Sequence, residues 1–295
     1  MRDRLVLALD GSTEVCTAAL LKAGKDGPWE VVVRRSEADG RAQAKTLLRL
    51  MDEMLEECGR GPEHVGAVVV GKGPGTFTGV RVTVATARAL GLALAVPVAG
   101  LSTLASLVAG AGDVAGGLAS SSTGAARSST AKVALVVPVI DARRGQVFYG
   151  LYRPVGAGRP DDRQLWGRST EFAVCDREAL GEAAANDLEA GRCVIVLGEE
   201  RLRPSELPAG VVFVSHDVAA ENLVIGQERL MEPGPLPEGA RLTVWLEKVL
   251  GTGTIGSPGT LGSPESVAPI YVRSPDADVH IKRMRDPWAG AAGGG

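Results

Sequence analysis

The apolar run VGAVVV at residues 65–70 is too short for a helix and suited to a buried strand, and it feeds directly into the loop GKGPGTFTGVR at residues 71–81. Four glycines and a proline turn the chain there, and residues 79–94, rich in Ala85, Ala87, Ala89, Gly91 and Ala93, then read as a helix able to pack close to another element. A strand, a glycine turn and a helix in direct succession place the chain in the α/β class.

The flanking sequence builds on this unit. Residues 5–9 form an apolar strand ending in Asp10-Gly11-Ser12-Thr13, residues 15–21 its return strand and residues 29–34 a third, an antiparallel meander. Residues 41–58 place Leu47, Met51, Met54, Leu55 and Cys58 on one helical stripe. Residues 96–99 read as a strand, and Ser102 as the cap of a helix over residues 103–108. Residues 133–140, the turn 141–145 and residues 146–152 repeat the opening pattern of strand, acidic turn, strand, a faint echo of a duplicated architecture. Residues 153–168 read as irregular, Asp176 as the cap of a helix to residue 189, residues 193–197 and 211–214 as strands, and residues 219–231 and 240–250 as helices. The expected organisation is a first lobe over 1–108, a Gly/Ala/Ser insertion over 109–131, a second lobe over 132–235, and over 236–295 a helix, a low-complexity tract at 251–264 and a tail anchored through residues 269–273.

Composition removes several function classes. With 45% hydrophobic and 23% charged residues the chain folds rather than stays disordered, and with 4% aromatics its core rests on Val, Leu and Ala. A net charge of -3 gives no global reason to bind a polyanion, so contact with nucleic acid needs a local patch or a partner. The one dense basic cluster, from His280 through Lys282, Arg283 and Arg285, reads as a solvated tail, with RNA phosphate contact as the other reading. Four scattered cysteines without a CxxC pair read as reduced thiols, and three scattered histidines argue against a histidine metal centre. Asp10 stops the first apolar run before it could be a signal peptide. The uncharged stretch 89–112 is broken by Pro97, Gly100, Ser102 and Thr103, so it reads as buried elements, and the expectation is a cytoplasmic protein that spans no membrane.

Three places could carry chemistry. The glycine loop fails both phosphate motifs: no lysine follows a glycine as GxxxxGK[ST] requires, and Gly79 arrives one residue too late for GxGxxG. What survives is a loop at a helix N-terminus, with Gly73, Gly75 and Thr76 weak candidates for an anion, or a plain turn that lets Phe77 pack. Asp10 and Ser12 could hold phosphate and a hydrated magnesium ion, or belong to an ordinary hairpin turn. Asp141 in Asp141-Ala142-Arg143-Arg144-Gly145 offers the same choice with two arginines added. Ser12 and Ser102 lack the GxSxG setting and the histidine base of a nucleophile.

Taken together, GPGTFTGVR at 73–81, LGL at 90–92, LSTL at 101–104 and IDARRGQVF at 140–148 resemble the bacterial TsaB family. LALD at 7–10, CTAAL at 16–20 and PIYVR at 269–273 fit the same pattern. The resemblance runs from about residue 5 to 152; residues 153–231 match little, and the tracts 109–129 and 251–264 exceed the family pattern.

The resemblance implies a two-lobed actin-like ATPase (ribonuclease H-like) fold, mixed sheets flanked by helices. It implies a non-catalytic scaffold subunit of the machinery that places threonylcarbamoyl on N6 of adenosine 37 in tRNAs reading codons that begin with A. A TsaD-like paralogue carries the metal and the transfer, and a TsaE-like ATPase drives the cycle. No catalytic residue, metal or cofactor is expected here beyond weak nucleotide binding near Asp10, Ser12, Gly73, Gly75, Thr76 and Asp141. The paralogue's helical histidine ligands would fall near Gln43 and Ala44, and residues 41–58 hold no histidine. The family pairs its first two helices with the partner, which makes Leu47, Leu48, Met51, Met54, Leu55, Val80, Val84 and Arg88 interface candidates, with ordinary core as the competing reading for the apolar stripe. Homodimerisation of the lone chain and tRNA contact through the complex complete the expectation. The alternatives are an actin-superfamily ATPase or small-molecule phosphotransferase using Asp10 and Asp141, and, suggested only by the paralogue's metal, a metalloprotease-like protein.

Overall fold

A computed structural model of the chain describes residues 4–24, 29–38, 43–111, 132–155, 165–185, 192–227, 230–231, 246, 250 and 262–272. Its first sheet has the order β3-β2-β1-β4-β5, from β1 (Leu5–Asp10), β2 (Val15–Lys22), β3 (Glu30–Ala38), β4 (Val65–Gly71) and β5 (Val98–Leu101). β1, β2 and β3 run antiparallel as a meander, whereas β4 joins β1, and β5 joins β4, in parallel. The parallel strands are reached through helices α1 (Gln43–Glu57) and α2 (Phe77–Ala93).

The period of two along β1 decides which face each residue serves. Leu5, Leu7 and Leu9 pack with Leu47, Leu50, Met54, Val80 and Val84 of the two helices. Val6 and Ala8 point the other way, onto Ala220, Leu223, Val224 and Leu246. Both faces are covered, which is why β4 is apolar at every position rather than alternating.

The second sheet repeats this plan with eight strands. β6 (Lys132–Arg143) pairs antiparallel with β7 (Gln146–Tyr149) at its far end and with β8 (Tyr152–Val155) at Val136, and those strands pair antiparallel with β10 (Ala173–Asp176) and β9 (Leu165–Arg168). On the edge opposite β8, β11 (Arg192–Gly198) and then β12 (Val211–Ser215) add in parallel, while β13 (Leu230–Met231) joins β9. Helix α4 (Leu180–Ala185) covers one face through Leu180 and Ala184. Helix α3 (Thr103–Gly110) covers the other through Ala105 and Val108, and so carries the chain from one sheet to the other.

Four local expectations change. Residues 146–152 are not one strand: Gly150 and Leu151 separate β7 from β8, and the Leu151 carbonyl accepts the Ser169 N–H at 2.8 Å, on the side where β8 pairs with β9. The stretch 153–168 is not wholly irregular, since it contributes parts of β8 and β9. Residues 219–231 form no long helix; Asn222 N–H bonds Ala219 O and Val224 N–H bonds Glu221 O, a tight 3-10 turn (Ala220–Leu223) followed by a left-handed turn at Gly226. Asp176 stands before a 3-10 turn (Arg177–Ala179) leading into α4, and its carboxylate caps nothing but accepts from Gln146 Nε2 at 3.2 Å. The 109–131 tract beyond Ala111, residues 186–189, most of 240–264 and the tail after Val272 lie outside the described residues.

Candidate functional site

The first hairpin and the glycine loop meet around one carboxylate. Asp10 ends β1 fully buried; its Oδ1 accepts the Ser12 N–H at 2.8 Å and its Oδ2 accepts the Thr103 hydroxyl at 2.8 Å. Ser12 Oγ lies 2.9 Å from Thr103 Oγ1, which also accepts the Gly73 N–H at 3.3 Å. The loop is tied to the hairpin by Thr76 N–H donating to Ser12 O at 2.8 Å, and to α3 by Thr103 N–H donating to Gly73 O at 2.9 Å.

Steric demand explains two of the glycines. A Cβ on Gly71 would stand 1.7 Å from Asp10 Oδ2, and one on Gly75 would stand 2.3 Å from Ser12 O. The loop can close over the carboxylate only because these side chains are missing. Burial pushes the Asp10 carboxyl above the usual range, against the hydrogen bonds from Ser12 and Thr103 that pull it down.

Of the weak anion candidates, Asp10, Ser12, Gly73, Gly75 and Thr76 thus come together: Ser12 bonds both Asp10 and Thr76, Gly73 is tied in through Thr103, and Gly75 packs against Ser12. Asp141 belongs to a different cluster at the β6–β7 hairpin. Its Oδ1 accepts the Arg143 N–H at 2.7 Å and its Oδ2 accepts Arg201 Nη1 at 2.8 Å, while Arg201 Nε reaches Glu199 at 2.6 Å. Burial raises the Asp141 carboxyl, but Arg201 and Arg143 outweigh it and hold the group below its ordinary value. Arg143 also pairs with Glu14 in the β1–β2 turn, so the two hairpin tips are joined by an ion pair.

The interface candidates divide sharply. Leu47, Met51, Met54, Leu55, Val80 and Val84 are buried in the chain's own core, holding α1 and α2 to the first sheet, and present no side chain to a partner. Leu48, 40% exposed, and Arg88, half-buried, remain at the surface. The outward face of α2 carries Thr78, Arg81, Ala85, Ala89 and Leu92, the last 63% exposed. Gln43, at the start of α1, turns inward and its Nε2 donates to Gly11 O at 3.3 Å.

Glu14 and Arg201 shape these sites without having been singled out in the sequence, and Thr103 stood there within the LSTL segment at 101–104, with no role at the site given to it. Among the described residues no group of three or more His, Cys, Asp or Glu could hold a metal ion, and no helix is long and apolar enough to cross a membrane.

A family model described as TsaD, tRNA N6-adenosine threonylcarbamoyltransferase, matches residues 37–162, from the end of β3 to beyond β8, a span that contains the glycine loop. The tRNA threonylcarbamoyladenosine biosynthesis protein TsaB of Escherichia coli is 31% identical over 178 residues, 60% of this chain and 64% of that protein. Its namesake from Haemophilus influenzae is 32% identical over 149 residues, 50% of this chain and 54% of that protein. The chain is thus similar, over part of its length, to proteins named TsaB.

The solved structure of YeaZ from Pseudomonas aeruginosa superposes with a TM-score of 0.56 at 24% identity, covering 91% of this chain and 99% of that one. Two mixed sheets with one strand plan and flanking helices are the actin-like, ribonuclease H-like fold. The aligned part spans 64% and 54% of the two curated relatives. Within that fold, the Asp10 and Asp141 hairpins occupy equivalent places, each joining the first two strands of its sheet.

Proposed function

We propose that the chain is a non-catalytic scaffold subunit in the formation of N6-threonylcarbamoyladenosine at position 37 of tRNAs reading codons that begin with A. It works beside a TsaD-like catalytic paralogue and a TsaE-like ATPase in the cytoplasm. The similarity to tRNA threonylcarbamoyladenosine biosynthesis proteins supports the pathway. The observation that carries the non-catalytic role is the use made of Asp10 and Gln43. The carboxylate is spent on Ser12 and Thr103 beneath the glycine loop, and Gln43, in the region where the paralogue's metal ligand would fall, bonds the Gly11 carbonyl. A phosphotransferase would need Asp10 and Asp141 turned toward a hydrated cation; here one is enclosed and the other is paired with Arg201.

The scaffold surface in this reading is the outward side of α1 and α2. Ala85, Ala89 and Leu92 leave an apolar strip with small residues along α2, and Leu48 is exposed on α1, a surface suited to close approach of a partner's helices. Reconstitution tests the proposal: the full chain, the TsaD-like subunit and the TsaE-like subunit are combined with unmodified tRNA, and the modified nucleoside is measured by mass spectrometry. Omission of this chain is expected to abolish modification, and the lone chain to transfer nothing. Transfer by the lone chain would overturn the proposal.

A further inference from the structure

The rim of the glycine loop leaves two aromatic rings in water. Phe77 is 37% exposed at the first residue of α2, and Tyr271 is 50% exposed on the segment that follows buried Val267. These are the exposed aromatic side chains among the described residues; the other exposed large apolar residues are Val31, Val32, Leu48 and Leu92. They come from positions far apart in the chain, yet their centroids lie 5.4 Å apart with the planes tilted by 37°.

Their meeting is fixed by backbone. Ile270 N–H donates to Lys72 O at 2.7 Å, which lays the segment 267–271 along the glycine loop and delivers Tyr271 to Phe77. The exposed Arg81 guanidinium, one helical turn on, stands over the Phe77 ring at 4.9 Å.

Charge around the rings has one sign along the chain. From residue 65 to residue 112 there is no Asp or Glu, and the charged residues are Lys72, Arg81 and Arg88. Carboxylates from other segments approach it: Glu265 lies beside Arg88 and bonds Ser263, and Asp10 is buried beneath the loop against Gly71. The chain as a whole is acidic, at -3, so this is a local reversal. Paired aromatic rings with an arginine over one of them, on a stretch whose charges are cationic, have the chemistry that takes an unpaired base by stacking and its phosphate by charge. A protein helix docking on α2 would use the Ala85, Ala89 and Leu92 strip and has no need of a guanidinium stacked on a ring.

We propose that Phe77, Tyr271 and Arg81 form a stacking platform for an unpaired RNA base, so that this subunit touches RNA directly. The choice of RNA rests on the tRNA-modification reading above. The platform accepts a base from a loop and rejects one locked in a duplex, because only an unstacked base offers its face.

The test uses the full chain and fluorescence anisotropy with two labelled probes, an RNA hairpin with an open mixed-sequence loop and a blunt RNA duplex. The wild type is expected to bind the hairpin more tightly than the duplex. Phe77→Ala and Tyr271→Ala are each expected to weaken hairpin binding by about fivefold or more and leave duplex binding unchanged, while Phe77→Trp and Tyr271→Phe retain it. Thermal melting checks the fold of each variant, and Tyr271, on a peripheral segment, guards against a folding defect at Phe77.

Equal binding of hairpin and duplex, or hairpin binding unchanged in both alanine variants, overturns the platform. So does sedimentation in which the rings hold two copies of the chain together and their loss leaves RNA affinity intact. Loop-selective binding that the alanine variants lose, in a chain whose omission leaves tRNA modification intact, supports the platform and overturns the pathway assignment instead.

Discussion

Arg143 in the β6–β7 hairpin pairs with Glu14 in the β1–β2 turn, joining the tips of the equivalent hairpins of the two sheets. Arg143 also lies 3.7 Å from Asp141, and Arg201 bonds that carboxylate from the other side, so the link is part of a small network. Glu14 and Arg143 are both about half exposed, at 51% and 47% of their side-chain surface, so solvent screens the attraction. A double-mutant cycle with Glu14→Gln and Arg143→Gln is expected to give a coupling of about 0.2–1 kcal/mol that shrinks as salt is raised. A coupling indifferent to salt would show that the two residues are joined by packing rather than charge.

Gly71 faces a sterner constraint. An alanine there would place its Cβ 1.7 Å from Asp10 Oδ2, with Thr103 Oγ1 at 3.0 Å. Gly71→Ala is expected to destabilise the chain by about 1–3 kcal/mol or more in urea unfolding. Asp10→Ala alone costs about 1–3 kcal/mol for the buried Ser12 N–H it leaves unpaired, while the Thr103 hydroxyl keeps Ser12 Oγ at 2.9 Å. The double variant should be more stable than the sum of the two losses predicts, since removing the carboxylate removes the clash; strict additivity would refute the close approach.

Much of the first sheet was legible because local signals agreed there. The apolar run at 65–70, the stripe from Leu47 to Leu55 and the Ser102 cap each gave an element within a few residues, and Ser102 Oγ does accept the Ala105 N–H at 3.3 Å. Residues 219–231 misled because Ala220, Leu223 and Val224 have helical spacing, yet they are apolar to fill the back of the first sheet from within a 3-10 turn. The site was half legible. Glycines announce a turn, but Thr103 stands 93 positions from the carboxylate it bonds, and no local pattern reports such a contact. The interface candidates failed to separate for a related reason: helical spacing finds the apolar stripe of α1 and α2, and the stripe faces their own sheet.

The outward strip of α2 gives the partner reading its test. Ala85 and Ala89 are exposed, and Leu92 is 63% exposed, so charge introduced there meets water in the isolated chain. Ala85→Arg and Leu92→Glu are expected to change unfolding stability by no more than about 0.5 kcal/mol, and to abolish co-purification with the TsaD-like subunit by burying an unpaired charge in the joint. Co-purification at wild-type yield with both substitutions present would move the interface elsewhere.

His216 supplies a dependence on pH. It follows β12, where its N–H donates to Gly198 O at 2.8 Å, and its Nε2 is the buried side-chain nitrogen or oxygen among the described residues that lacks a hydrogen-bond partner. The end of α3 closes on it: a Cβ on Gly110 would stand 2.8 Å from that nitrogen and 2.1 Å from Asn222 Nδ2. Burial pushes the imidazole pKa below its ordinary 6.5, and the pull of Asp217 and of Glu221, itself bonded to Arg34 at 2.7 Å, does not restore it. The native state therefore binds fewer protons here than the unfolded chain does. The contribution of His216 to stability is complete above about pH 6.5 and is lost as pH falls from there through the lower native value. His216→Gln cannot titrate, so urea unfolding at about pH 7.5 and about pH 5.5 is expected to show a larger acid-induced loss in the wild type than in the variant. Equal losses would mean that the ring reaches solvent and titrates alike in both states.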